Sequence, residues 1–206
     1  MYIPRSFAET DAAVLYDFMR AHNFATLVSQ RDGQITASHV PFMVDSERGV
    51  LTAHLARANA QWKDFGACEA LVIFSGAHAY ISPTWYETHP SVPTWNYTAV
   101  HVYGVPQLVT DEAAIRLMLG DLVANHEHGR DPEWEMKLPD DYMRTMMAAI
   151  VAFEMPIARV EGKYKLSQNR SDADQQTVIA HLSQSADALE AATGLLMAER
   201  RAERER

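Results

Sequence analysis

Rings and short hydrogen-bonding side chains crowd one stretch of this chain, Ser75 to Gly104 (SGAHAYISPTWYETHPSVPTWNYTAVHVYG). Tyr80, Trp85, Tyr86, Trp95 and Tyr97 suit stacking on a flat ring system, and Ser82, Thr84, Thr94 and Asn96 suit hydrogen bonds to its polar edges. The same side chains serve a barrel core or a dimer interface equally well, because aromatic residues dominate both. A second segment, Arg57-Ala58-Asn59-Ala60-Gln61-Trp62, follows a strand and opens a helix. A helix start offers unpaired N–H groups to an anion, Arg57 adds a planar guanidinium suited to phosphate, and Asn59 and Gln61 add neutral donors. On composition alone, a surface loop in which Asn59 caps the helix explains this segment better. No Gly-rich phosphate loop accompanies it.

A third segment, Lys163-Tyr164-Lys165-Leu166-Ser167-Gln168-Asn169-Arg170, gathers cations and donors at the end of a strand and before a helix. Capping by Ser171 or Asp172 accounts for part of it. The density of positive charge in an acidic protein favours an anion contact. The histidines His39, His54, His78 and His101 lie on or beside strands, but nothing in their spacing is diagnostic of a metal. There is no HExxH, the only HxH (His126-Glu127-His128) falls in a polar loop, and no metal site is assigned. The single cysteine, Cys68, reads as a half-buried structural thiol in a chain without internal disulfides, consistent with a reducing cytoplasm.

The elements that must position these groups follow from pattern. Thr10 is placed to cap a helix whose apolar face is Val14, Leu15, Phe18 and Met19. Phe24–Ser29 and Gln34–Phe42 form a hairpin about Asp32-Gly33, and Val50–Leu55 is a third strand. Ala70–Phe74 and Ala79–Tyr86 read as two neighbouring strands, and Tyr97–Val109 as a long strand bent near Gly104 and Pro106. Thr110 caps a helix, Asn125–Pro139 is irregular, Tyr142–Phe153 is a Met-rich helix and Pro156–Lys165 is the last strand. A C-terminal helix spans 172–206. Its mixed end, from Glu199 through Arg200, Arg201, Arg204 and Glu205 to Arg206, reads as a solvated, fraying helix end. These elements make one domain over 1–206, mainly β with peripheral helices, as a closed antiparallel barrel or an open α+β sheet.

Length and composition, with 206 residues, 48% apolar and 22% charged, fit a globular domain. No apolar run approaches the roughly 18 residues of a membrane span, and the N-terminus lacks a secretory pattern, so a cytoplasmic protein is expected. The net charge of −9 argues against a chain-wide grip on nucleic acid, and no basic recognition helix is visible, so direct DNA binding is doubtful.

Several motifs in order carry a resemblance that covers nearly the whole chain. They are Met1-Tyr2-Ile3-Pro4 with Phe7; His39-Val40-Pro41-Phe42; Leu51 to Trp62; Ala79 to Tyr86; Val92 to Gly104; and Lys165 to Arg170. The chain resembles the PaiB-like family of FMN-binding "negative transcriptional regulator" proteins. It departs from the family pattern at Asn59-Ala60-Gln61 and Gly76-Ala77-His78, where prolines are replaced, which puts local rigidity in doubt more than binding.

The resemblance implies a split β-barrel of the flavin-reductase and pyridoxamine-phosphate-oxidase type, a homodimer with FMN in a groove between subunits. It implies that Arg57, Asn59, Gln61 and Trp62 lie near the phosphate and ribityl chain, and Tyr80, Ser82 and Trp85 along the flavin. Trp95, Asn96 and Tyr97 would complete the groove, and Lys165 and Gln168 would close over it. The function expected is a flavin-dependent redox or flavin-sensing protein carrying the family's regulator label. The alternatives are a transcriptional regulator acting without flavin chemistry and a haem-binding split-barrel protein using a barrel histidine. No residue is singled out as a general acid or base, so an FMN-dependent oxidoreductase activity is left open.

Overall fold

A computed structural model describes residues 1–204. Glu205 and Arg206, the tip of the expected C-terminal helix, lie outside them. In chain order the elements are β1 (Ala8–Glu9), α1 (Ala12–Ala21), β2 (Phe24–Arg31), β3 (Gln34–Pro41), β4 (Met43–Asp45), β5 (Val50–Ala56) and β6 (Ala70–Ile81). They continue as β7 (Thr94–Gly104), β8 (Gln107–Val109), α2 (Glu112–Glu127), α3 (Asp140–Ala148), β9 (Ile150–Pro156), β10 (Arg159–Lys165), α4 (Asp172–Ser183) and α5 (Ala188–Arg204). Short 3-10 turns occupy Arg5–Phe7, Ala60–Asp64 and Pro83–Trp85. The chain forms two compact units. One gathers Met1–Phe18, Ser75–His101 and Glu161–Arg206; the other gathers Met19–Phe74 and Val102–Val160.

In the Met19–Phe74 unit, β2 and β3 form the expected hairpin about Asp32-Gly33, in register from Phe24↔Pro41 to Arg31↔Gln34. Alternation along β3 keeps Thr36, Ser38 and Val40 on the more buried face and leaves Ile35, Ala37 and His39 exposed. The start of β6 pairs with β2, with Leu27 opposite Val72. A four-stranded antiparallel sheet runs β4-β5-β9-β8. Its core holds fully buried Phe42, Phe74 and Phe153, with Phe42 ring centroids 6.0 Å from Phe74 and 6.1 Å from Phe153.

The sequence expectation of a helix over Tyr142–Phe153 is corrected here. The helix ends at Ala148, and Ile150-Val151-Ala152-Phe153 joins the sheet opposite β5, from Val50↔Pro156 to Ala56↔Ile150. The apolar run fits both periods. Seven cross-strand partners decide for the strand. The bend expected near Gly104 is a break between β7 and β8, and a Cβ on Gly104 would meet the Pro156 carbonyl oxygen at 2.2 Å. The helix α2 runs to Glu127, past the expected start of the irregular segment at Asn125, and its cap is Asp111, not Thr110. Asp11 likewise takes the role expected of Thr10, accepting from Ala13 N–H at 2.8 Å. Cys68 is exposed, not half-buried.

In the other unit, strand order is β1-β10-β7-β6. The two strands expected over Ala70–Phe74 and Ala79–Tyr86 are one twelve-residue strand. The intervening Gly76 does not break it. Close packing demands glycine there, since a Cβ would lie 2.4 Å from Thr98 Oγ1 and 2.7 Å from the Phe18 ring. The C-terminal segment is two helices and not one. Asp187 restarts the chain after Ser183 by accepting the Leu189 N–H at 2.8 Å, while Ser185 donates to Glu190. Among the described residues, the basic side chains expected to be solvated there are engaged within the fold. Arg200 pairs with Glu9, Arg201 with Asp172, and Arg204 donates to Gln175.

Candidate functional site

In the Met19–Phe74 unit, most polar groups of the Arg57–Trp62 segment bond to the surrounding chain. Arg57 donates through Nε to the Ala148 carbonyl and through Nη2 to the Ile150 carbonyl, both at 2.6 Å, bracing the turn between α3 and β9. Three of the five guanidinium N–H groups lie outside these two bonds. Asn59 caps the 3-10 turn by accepting the Gln61 N–H at 3.0 Å, and its amide donates to Ser38 Oγ at 2.8 Å. Gln61 is buried, with Nε2 donating to the Leu27 and Thr36 carbonyls at 3.1 and 3.2 Å, so it ties β2 to β3. Its Oε1 is buried without a hydrogen-bond partner among the described residues. Trp62 donates from Nε1 to the Arg57 carbonyl at 3.1 Å. An open hollow of about 500 Å³ is lined by Thr36, Asn59, Gln61 and Lys63, among others.

In the unit built from Met1–Phe18, Ser75–His101 and Glu161–Arg206, the structure brings the aromatic stretch and the Lys163–Arg170 segment together. Tyr80 on β6 and Trp95 on β7 are 42% and 53% exposed, large values for rings this size. Their centroids lie 6.0 Å apart, edge to face, and His78 lies 6.1 Å from Trp95. Strand alternation sends Asn96 to the other face, where it is fully buried and donates to Ser167 Oγ at 2.9 Å. Tyr97 lies under the Lys163 ammonium, 5.1 Å from its ring centre. Ser82 caps the 3-10 turn by bonding Thr84, and Trp85 stacks on His181 of α4 at 5.1 Å.

Lys165 donates to Thr94 Oγ1 at 2.5 Å and to the Trp95 carbonyl. Burial, then the positive charges of Lys163 and Arg170, hold its pKa below the ordinary lysine value. Gln168 folds onto its own turn, with Nε2 donating to the Tyr164 carbonyl and Oε1 accepting the Leu166 N–H. The turn places Ser167 at a φ of 63°, where its hydroxyl meets Asn96.

A recess of about 190 Å³ opens here, lined by Tyr86, Thr94, Asn96, Lys165, Asn169 and Arg170, with apolar neighbours including Phe7 and Pro93. Sequence reasoning marked Tyr86 as one of the stacking rings and Arg170 as part of the cationic segment, but assigned neither a place in the flavin groove. The guanidinium of Arg170 lies 4.3 Å over the Tyr86 ring, and its only sequence signal was the local density of cations. Asp174 fixes the neighbouring segment by accepting the Glu87 and Thr88 N–H groups at 2.8 and 3.1 Å. Among the described residues no cluster of His, Cys, Asp or Glu could hold a metal ion, and no helix is long and apolar enough to cross a membrane.

Residues 1–159 match the family model described as "Putative FMN-binding domain". The chain is 39% identical over 188 residues to the Bacillus subtilis "Protease synthase and sporulation protein PAI 2", covering 88% of this chain and 89% of that protein. Among solved structures it is similar to the flavocytochrome Anf3 from Azotobacter vinelandii, with a TM-score of 0.63 and 15% identity, covering 79% of this chain and 72% of that one. It is also similar to the FAD and haem binding protein from Mycobacterium smegmatis, with a TM-score of 0.63 and 19% identity, covering 81% and 78%. These likenesses agree with the expected fold class, mainly β of the split-barrel type with peripheral helices. The chain therefore belongs to the FMN-binding-domain family, as the resemblance to PaiB-like proteins implies.

Proposed function

We propose that the protein binds a flavin, specifically FMN, and presents its ring to the Tyr80 and Trp95 side chains. The observation that carries this reading is the exposure of those two rings in an edge-to-face pair on adjacent strands, in a chain of an FMN-binding-domain family. Paired aromatic rings left this exposed in the free chain mark a surface that a partner covers. FMN supplies hydride or electron transfer when bound, and the chain positions it and excludes water from one face. The assembly proposed is a homodimer, the compartment the cytoplasm. The family's regulatory label is read as an indirect or sensing role, because the net charge is −9 and the arginines of α5 are engaged within the fold.

Adding FMN to purified protein should quench flavin fluorescence through Trp95 and Tyr80, and Trp95→Ala should lose most of that quenching. If wild-type protein leaves free FMN fluorescence unchanged across a titration, the flavin reading fails. A haem-binding reading is favoured by the haem named for the Mycobacterium smegmatis neighbour. A Soret band in purified protein with no flavin absorbance would choose it over FMN.

A further inference from the structure

Three cations, Lys163, Lys165 and Arg170, stand close enough for two of them to depress the third, yet among the described residues none is paired with a carboxylate. That is an uncommon arrangement in a chain of net charge −9. Lys165 and Arg170 line the recess beside Thr94 and Asn169. Lys165 has two of its three N–H groups engaged, and Arg170 makes one long bond, 3.4 Å, to Ser91 Oγ. Donors therefore remain on both. A second and independent feature lies in the same lining. Tyr86 is 3% exposed, and its hydroxyl is buried with no hydrogen-bond partner among the described residues. An unpaired buried hydroxyl is disfavoured, and its retention beside uncompensated cations points to an absent acceptor.

We propose that this recess is a binding site for a phosphate-class dianion, held by Lys165, Arg170 and the Tyr86 hydroxyl. The excess of positive charge suits a dianion better than a monoanion, and a planar guanidinium suits two phosphate oxygens at once. The volume, about 190 Å³, is below the roughly 300–1,000 Å³ of sites that enclose a drug-sized ligand. It therefore takes the phosphoryl group and not a whole cofactor. The inference does not require the flavin reading. The phosphoryl group belongs either to FMN or to a separate phosphorylated ligand.

The test is calorimetric titration of the full chain with inorganic phosphate. Wild type should bind, Arg170→Gln should weaken binding about tenfold or more, and Tyr86→Phe several-fold. Tyr86→Phe keeps the ring under Arg170 and removes only the orphan hydroxyl. Its phosphate-free melting temperature should stay equal or rise while its phosphate-induced rise shrinks, a pair of changes that a loss of folding cannot produce. Riboflavin and FMN separate the two sources. If FMN displaces phosphate and Arg170→Gln weakens FMN but not riboflavin, the phosphoryl group is the flavin's. If phosphate and FMN bind together and Arg170→Gln affects phosphate alone, it belongs to another ligand. If no flavin binds while phosphate behaves as described, the flavin reading fails and this site stands. Wild type that does not bind phosphate, or folded variants that bind it as wild type does, would overturn the proposal.

Discussion

Arg57, Asn59 and Gln61 in one unit, and Asn96, Lys165 and Arg170 in the other, are the same kinds of side chain put to different uses. In the first set most donors are spent on the chain's own carbonyls, caps and hydroxyls, and what is left over is three N–H groups of the exposed Arg57 guanidinium and the acceptor Oε1 of Gln61. In the second set Asn96 and Ser167 satisfy each other and build the wall, while Lys165, Arg170 and Tyr86 keep unmatched donors around a cavity. The lesson is that a polar cluster acquires binding capacity from what its neighbours leave unpaired, not from its residue types.

The largest effect that would break this contrast lies at Gln61. Gln61→Ala removes the tie between β2 and β3 and leaves a cavity where a fully buried side chain packs, so unfolding free energy should fall by about 2–4 kcal/mol in denaturant melts. A loss below about 1 kcal/mol would mean the segment is not a brace. Arg57 should follow at about 1–2 kcal/mol, because its bonds are solvent-exposed. Arg57→Lys should restore little of this loss, since an ammonium cannot span two carbonyls as the guanidinium fork does. Full recovery of stability by lysine would show that charge alone matters.

A smaller effect is set by pH. Burial pushes the His54 and His22 imidazoles below the ordinary histidine value. The unfolded chain then takes up protons at a higher pH than the folded one, so stability falls as pH drops through 6.5 toward the folded pKa values and is recovered above it. His54 lies among Met43, Ile115, Met118, Leu119 and Leu122. His54→Gln should flatten the pH dependence of the melting temperature between about pH 5 and 7, and an unaltered slope would remove His54 as its source. The smallest stability effect is expected at Trp95. Trp95→Ala should change unfolding free energy by no more than about 0.5 kcal/mol, because the ring is half in water, while flavin affinity falls about 3- to 10-fold. A large stability loss would reassign Trp95 to the core.

Much of the fold was legible because local chemistry and tertiary packing agree. The Asp32-Gly33 hairpin, the alternation along β3 and the Ser171 cap of α4 are such places. The expected helix over Tyr142–Phe153 failed because an apolar run has no unique period, and partners on β5 decided for the strand. The split of β6 failed because Gly76 was read as punctuation, when it is a contact with Thr98 and Phe18. At the site, sequence marked the segments but not the roles within them. Trp95 and Asn96 are consecutive, and the pleat turns one outward and buries the other.

The sequence by itself determined the family, the acidic balance, the aromatic stretch and the positions of most strands, since these rest on residue identity and short-range periodicity. Tertiary structure alone decided that Lys165 and Arg170 meet Thr94 and Tyr86 around a recess, and that Arg57 and Gln61 close on backbone carbonyls instead. The reason is physical. Whether a donor is satisfied depends on partners tens of residues away, and no local pattern records which of them the fold delivers.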